Sequence, residues 1–394
     1  MIHTLDEVPA IVLAAGEGTR LRPLTKYRPK PMLPAATRPI LQHVLDQLID
    51  CGIGNVTLVV GHRRTRIQSH FGPTYRGVPL TYQTQEKQLG TGHALVAAAP
   101  PTDRPFLVVY GDQIVDQTII MDVLDRHEDA AATLGLIPDV DVSRYGGAIV
   151  EDGRVLDLID RPTDCREYVL NAGVYMFEPS VMDAVQAAGV CNGEQSLIDG
   201  IGQLINANET VTAAVSDGFW ADATYPWDLL DIARRLLDCG EGEVRPDGGT
   251  PAIHGSATIR GPVSIARDCE IGPGAVIGPY AALGANVTVE ANATVQRSIL
   301  DTDTRVGPNA TLLDTITGIG TTVGAGSTVP GGPGDVRVED RMFEGEELGA
   351  VIADRVRDHG GVTYRPGTIV GPDSAIGPGA VVRGSHASAT TIGI

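Results

Sequence analysis

The feature that most restricts the fold of this chain begins at Ile253. From there aliphatic residues recur every six positions, at Ile253, Ile259, Ile265, Ile271, Ile277, Leu283, Val289 and Val295. A second series keeps step with it, at Ala257, Val263, Cys269, Ala275, Ala281, Val287 and Ala293. A helix repeats every 3.6 residues and a strand every two, so neither period yields this pattern. A hexapeptide parallel β-helix does. Each six-residue step is then one short strand of a three-sided coil, with the large aliphatic in the axis and the small residue near a corner. The register breaks after Val295 and partly resumes at Leu300, Val306 and Leu312, then at Val323 and Val329. An acidic insertion at residues 331–347 follows, and Val370, Ile376 and Val382 restore the spacing. Stacked coils bury a continuous core without large rings, which suits a chain with only 4% aromatic residues.

The earlier part of the chain follows a different grammar. Residues 9–15, 55–60, 106–110, 131–137 and 169–177 read as buried strands, and residues 40–51 and 63–71 as helices. Ile40, Val44, Leu45 and Leu48 share one face of the first helix. Such alternation predicts an α/β domain, Rossmann-like, with a mainly parallel sheet covered by helices. Ligands of such sheets bind beyond the carboxyl ends of the strands. At 394 residues the chain exceeds one ordinary core. The polar Gly/Pro stretch at 241–251 reads as a linker, which predicts domains at 1–242 and 252–394.

Charge narrows the function classes. The chain has 49 acidic against 30 basic residues, a net charge of −19. That disfavours general binding to nucleic acid or anionic membranes. Lysine occurs only at Lys26, Lys30 and Lys87, and this scarcity beside abundant aspartate suits a high-salt cytoplasm, where screening relaxes self-repulsion. The five cysteines (Cys51, Cys165, Cys191, Cys239 and Cys269) form no CxxC, as expected of reduced thiols. The N-terminus lacks a basic region followed by an apolar one, and no apolar run reaches the ~18 residues of a membrane span. The expectation is a soluble cytoplasmic protein.

Against this acidic background, positive charge gathers at Arg20, Arg22, Lys26, Arg28 and Lys30, beside a single acid, Glu17. The first strand hands over to Gly16-Glu17-Gly18-Thr19-Arg20. This is neither a P-loop nor GxGxxG. It is either a tight strand-to-loop turn or an anion site in which glycines let backbone N–H groups approach phosphate. Lys30, fixed between Pro29 and Pro31, favours the anion site, since prolines stiffen a loop that must hold a charge in place. Gly111-Asp112, at the end of a strand, is either a helix cap or a metal ligand.

The run Gly16-Glu17-Gly18-Thr19-Arg20-Leu21-Arg22-Pro23-Leu24-Thr25, followed by Pro29-Lys30-Pro31, resembles the signature of the sugar-1-phosphate nucleotidyltransferases, over roughly residues 8–240. Members of that family join a sugar-1-phosphate to a nucleoside triphosphate and release pyrophosphate. Many carry a C-terminal left-handed β-helix. The resemblance implies that backbone amides from Ala15 through Gly16 and Gly18 to Thr19 cradle the phosphates. Arg20 would hold the leaving β- and γ-phosphates and Lys30 the α-phosphate. Gln85, Gly90 and Thr91, in the stretch QEKQLGTG, would meet the base, and taken alone that stretch is as well read as an ordinary loop. Asp112 and Asp222 would hold Mg²⁺, although Ala223 stands where the family usually has glycine. Gly146, after Tyr145, would form the turn over the hexose. Asp160 would accept sugar hydroxyls, Arg161 would grip the sugar phosphate, and Asn171 would contact the sugar; as residues alone, Asp160 and Arg161 also fit a solvated surface pair.

The implied substrates are UTP or dTTP and a hexose-1-phosphate, with glucose-1-phosphate favoured. Some relatives acetylate amino-sugar phosphates on the β-helix, using a histidine and lysines. Residues 252–394 contain no lysine, and their histidines are His254, His359 and His386, outside the central coils 296–330. The β-helix is therefore expected to serve assembly, as a homo-oligomer with a trimer favoured. The alternatives are a bifunctional uridyltransferase and acetyltransferase, and a non-catalytic subunit that binds nucleotide sugar.

Overall fold

The computed structural model describes residues 7–61, 63–138, 140–190, 193–241 and 250–393. Most of the expected linker lies outside the described residues, as do Cys191 and the first six residues. The described chain forms two compact units. One comprises residues 1–17, 29–32 and 40–222, and the other 18–28, 33–39 and 223–394. These units cut the chain differently from the limits 1–242 and 252–394, which remain our proposal for the sequence domains.

The elements of the first unit are β1 (Ala10–Ala14), α1 (Ile40–Asp50), β2 (Val56–Val60), α2 (Arg64–Phe71), β3 (Thr74–Tyr75), β4 (Val78–Thr84), α3 (Thr91–Ala98), β5 (Phe106–Tyr110), β6 (Gln113–Val115) and α4 (Gln117–Arg126). They continue with β7 (Ala132–Ile137), β8 (Gly146–Glu151), β9 (Arg154–Asp160), β10 (Val169–Phe177), α5 (Val181–Ala188), α6 (Leu197–Asn206), β11 (Val211–Val215) and β12 (Trp220–Asp222). One ten-stranded sheet has the order β8-β9-β11-β7-β10-β5-β1-β2-β4-β3. Its four central-to-edge strands β5-β1-β2-β4 are parallel. β10 runs antiparallel to both β5 and β7 and opens a second, mixed half. β1 is apolar throughout because both faces are covered. Ala10, Val12 and Ala14 join one core with Leu41, Val44, Leu45 and Leu48 of α1. Ile11 and Leu13 point into the other, with Ala94, Leu95 and Ala98 of α3.

In the second unit the coils stack as three parallel sheets of eight, seven and seven strands. This is the β-helix that the six-residue period predicts. Each aliphatic sits on its counterpart one coil below: Ile253 pairs with Ile271 and Ile271 with Val289. The register break has a simple origin. Val289 pairs with Val306 and Val306 with Val323, so these coils advance by 17 residues where the earlier ones advance by 18. The lost residue falls before Leu300 and again before Thr317, which pair in one sheet. Thr317 fills the aliphatic position fully buried, its hydroxyl satisfied by Thr304 at 2.9 Å and by the Asp301 amide at 3.0 Å. Corners turn on left-handed residues such as Asn286, Asn292 and Asn309, the side chains that best tolerate that conformation after glycine. The insertion is an antiparallel hairpin, Gly334–Val338 with Arg341–Glu346. Its Phe343 packs on Tyr225 and Trp227, with ring centroids at 4.6 and 5.2 Å, where the helix α7 (Pro226–Leu236) begins.

Candidate active site

The site begins where β1 ends. Gln88 donates from Nε2 to the Ala15 carbonyl at 2.7 Å. Gly61, after β2, lies so close that a Cβ there would come within 2.6 Å of the same oxygen. Gly16 faces open space. Gly18 adopts the left-handed conformation (φ 64°, ψ 49°), and its carbonyl accepts from Thr25 Oγ1 at 2.8 Å. Gly18, Thr19 and Arg20 belong to the second unit, and both Thr19 and Arg20 are exposed.

Lys30, Asp112 and Asp222 meet. Lys30 Nζ lies 2.6 Å from Asp222 Oδ1 and 3.0 Å from Asp112 Oδ2. The two aspartates are 110 positions apart in the chain, and the small sheet of β6 and β12 brings them together. There Asp222 pairs with Gln113, the neighbour of Asp112. Gly111 is required just before, since a Cβ would sit 2.8 Å from Val12 Cγ1. Burial opposes the Lys30 charge, but the attraction of Asp112 and Asp222 outweighs it and raises the pKa. The ammonium is therefore fixed in place and protonated. Among the described residues no group of three or more His, Cys, Asp or Glu side chains is placed to hold a metal. Any cation at this point would rely on the two carboxylates and on substrate oxygens. The donor set fits, because one ammonium already draws both carboxylates to a single point, and magnesium takes a carboxylate or two plus phosphate oxygens.

The first unit also holds a cleft of about 660 Å³, lined by Glu17, Gly61, Arg63, Arg64, Gln85 and Gln88 among others. Gln85 is 5% exposed and donates from Nε2 to the Gly90 carbonyl at 2.9 Å, so the two residues expected at the base are tied together. Gly90 has a φ of 96°, and a Cβ there would lie 2.6 Å from the Gln195 carbonyl. Thr91 has a further task. Its hydroxyl accepts the Leu197 amide at 3.0 Å, at the start of α6.

The residues expected at the sugar lie on three neighbouring strands of the mixed half. Gly146 on β8 pairs with Asp160 on β9. A Cβ on Gly146 would sit 3.5 Å from Asn171 on β10. Arg161, also left-handed (φ 49°), pairs with Asp160 at 3.1 Å, and both are exposed. Asn171 is buried and donates from Nδ2 to Tyr175 Oη at 2.7 Å. The Tyr175 ring meets that of Tyr110 edge-on, with centroids 5.7 Å apart. Burial pushes the hydroxyl pKa of both tyrosines up, so they stay neutral. Sequence reading missed Tyr110, Tyr175, Arg63, Arg64 and Gln88. The two tyrosines lie in largely apolar strands, and only a hydroxyl within such a strand could have marked them.

Residues 9–238 match the model of the nucleotidyl transferase family, and residues 259–357 match that of the GMPPB C-terminal domain. The chain belongs to the nucleotidyl transferase family. It is 37% identical over 234 residues to the UTP–glucose-1-phosphate uridylyltransferase AglF of Haloferax volcanii, covering 58% of this chain and 96% of AglF. It is 32% identical over 231 residues to the bifunctional protein GlmU of Methanocaldococcus jannaschii, covering 58% of this chain and 54% of GlmU. The match thus spans about half the length of GlmU. A solved UDP-glucose pyrophosphorylase complexed with UDP-glucose superposes with a TM-score of 0.53 at 20% identity, over 59% of this chain and 99% of that one, a likeness of fold. More narrowly, the chain is a sugar-1-phosphate nucleotidyltransferase, and so a transferase. No helix among the described residues is long and apolar enough to cross a membrane.

Proposed function

We propose that this chain transfers a uridylyl or thymidylyl group from UTP or dTTP to a hexose-1-phosphate, glucose-1-phosphate first among them, releasing pyrophosphate. The observation that carries the reading is Lys30 Nζ held at 2.6 and 3.0 Å between Asp222 and Asp112. The similarity to AglF supports the choice of sugar and base. An oxygen of the sugar phosphate attacks the α-phosphorus, the α–β bond breaks, and pyrophosphate departs. Two anions must approach, so positioning and electrostatic stabilisation carry the rate. Arg20 and the amides of Ala15, Gly16, Gly18 and Thr19 bind the triphosphate. Lys30 stabilises charge on the α-phosphate. Gln85, Gly90 and Thr91 shape the base site. Asp160 and Asn171 orient the sugar over Gly146, and Arg161 holds its phosphate. Asp112 and Asp222 hold Mg²⁺, which when bound supplies charge neutralisation to the triphosphate.

The test is pyrophosphate release with UTP or dTTP against glucose-1-phosphate and N-acetylglucosamine-1-phosphate, with Mg²⁺. We expect the highest kcat/KM with glucose-1-phosphate. Binding of nucleotide sugar without pyrophosphate chemistry supports a regulatory subunit instead, and acetyl-CoA consumption with glucosamine-1-phosphate supports a bifunctional enzyme. A cytoplasmic homo-oligomer assembled through the β-helix, a trimer first, and adapted to high salt, belongs to the same reading. Sedimentation in low and molar salt tests it.

A further inference from the structure

Arg28 lies two residues before Lys30, yet it belongs to the second unit with the whole signature segment 18–28. Its guanidinium bonds Asp301 through Nη1 and reaches Asp354 Oδ1 from Nη2 at 3.5 Å. All three side chains are buried, at 7%, 9% and 7% exposure. Both carboxylates are themselves fixed. Asp301 accepts the Thr302 amide at 2.7 Å and Asp354 the Ile319 amide at 3.0 Å. The coil between them supplies Gly318, where a Cβ would lie 2.2 Å from Asp354 Oδ1. The slot therefore exists only because position 318 has no side chain.

The next residue back is held as well. Tyr27 Oη donates to Asp373 Oδ2 at 2.7 Å, and the Arg355 guanidinium lies 4.5 Å over the Tyr27 ring while its Nε donates to Asp373 at 2.7 Å. Successive coils thus grip the end of the segment. The segment itself is one compact piece, with Leu21 and Leu24 buried and Thr25 bonded back to Gly18. Turning Arg28 therefore turns Gly18, Thr19 and Arg20. Buried ion clusters add little stability against apolar replacements, because desolvation offsets their attraction; what they can fix is geometry.

We propose that Asp301 and Asp354 are positioning residues of the transferase reaction, which act through Arg28 to set the orientation of the triphosphate-binding segment 18–28. This gives the β-helix a part in the chemistry, and it rests on the reading of that segment as the triphosphate site.

The test uses the full chain. R28M alone leaves two buried carboxylates uncompensated, so the decisive variant is R28M/D301N/D354N, which removes all three charges at nearly constant volume; D354N alone serves should the triple variant not fold. The readouts are KM for UTP, KM for glucose-1-phosphate, melting temperature, and hydrogen exchange over residues 18–28. We expect KM for UTP to rise roughly tenfold or more, inside the roughly 10²-fold that a misplacement near 1 Å can cost. KM for glucose-1-phosphate and the melting temperature should hold, exchange over 18–28 should accelerate, and R28K should restore part of the loss. Unchanged kinetics, or both KM values moving together with a fall in melting temperature, would overturn the proposal. A wild-type chain that releases no pyrophosphate would defeat the enzymatic reading instead, and hydrogen exchange would still report whether Arg28 pins the segment.

Discussion

Lys30 and Arg161 are both cations paired with aspartate, but they live in different regimes. The Lys30 side chain is 11% exposed and faces two carboxylates. The Arg161 side chain is 60% exposed, faces one, and is adjacent to it in sequence. An exposed pair contributes at most about 1 kcal/mol to stability and exchanges partners at little cost. A buried cluster is preset, and removing one member leaves uncompensated charge. The buried cluster therefore suits the reacting centre, where charge must be ready before the substrate arrives. The exposed pair suits the sugar phosphate, for which Arg161 can leave Asp160 and bond bidentately.

The largest test of this contrast is K30M. If Lys30 is the charge partner of the α-phosphate, as we propose, this variant should lower kcat on the order of 10²-fold or more. The same variant should bind Mn²⁺ more tightly in the absence of nucleotide, since the carboxylates lose an internal competitor; electron paramagnetic resonance titration reads this directly. Weaker or unchanged Mn²⁺ binding would mean that the two aspartates are not the metal pair. D222N should reduce both kcat and Mn²⁺ affinity, again on the order of 10²-fold in rate. D112N should follow the same pattern with a smaller stability loss, because its side chain is 31% exposed against 8% for Asp222.

R161A should act differently. It removes a charge-assisted hydrogen bond of about 1.5–3 kcal/mol, so KM for the sugar phosphate should rise roughly 10- to 100-fold. KM for the nucleotide and the melting temperature should stay near wild type. If KM for the sugar phosphate is unaltered, the pair is a solvated surface contact and the comparison with Lys30 loses its functional half.

The two halves of that contrast were unequally legible in the sequence. Lys30 stood out through its flanking prolines, but its meeting with Asp112 and Asp222 depends on the pairing of β12 with β6, and nothing local announces a contact across 110 residues. The aliphatic period from Ile253 to Val295 made the β-helix plain, because an interior with threefold coils repeats one side-chain type. It faded where coils shortened by one residue and where polar groups entered the axis. Thr317 is one such group. Asp358 is another, stacked on Ile376 and satisfied by Tyr364 Oη at 3.1 Å and Ser327 Oγ at 3.0 Å. A hydropathy pattern cannot show a buried polar group whose partners come from other coils. Arg28 escaped for the same reason, since it looked like one more cation of a phosphate loop and its carboxylates lie more than 270 residues away in the chain.

A third pair lies between the two regimes and gives the smallest effect. His127, at the end of α4, bonds Thr133 Oγ1 through Nδ1 at 2.9 Å and faces Glu178 across 3.4 Å from Nε2. The His127 side chain is buried while Glu178 is 39% exposed. Burial lowers the imidazole pKa, and the Glu178 carboxylate only partly offsets it. The unfolded chain then takes up this proton before the folded one does. The stability that the neutral ring contributes is complete above its ordinary value of 6.5 and is lost as pH falls through the lower folded value. Thermal melting from pH 7 to pH 5 should show this loss, with about 2–4 °C for each kcal/mol in a unit of this size. H127N keeps a neutral polar group of similar reach and should flatten that part of the slope. An unchanged slope would mean that Glu178 compensates the charged ring fully, and that a half-exposed carboxylate can do for a buried cation what Asp112 and Asp222 do for Lys30.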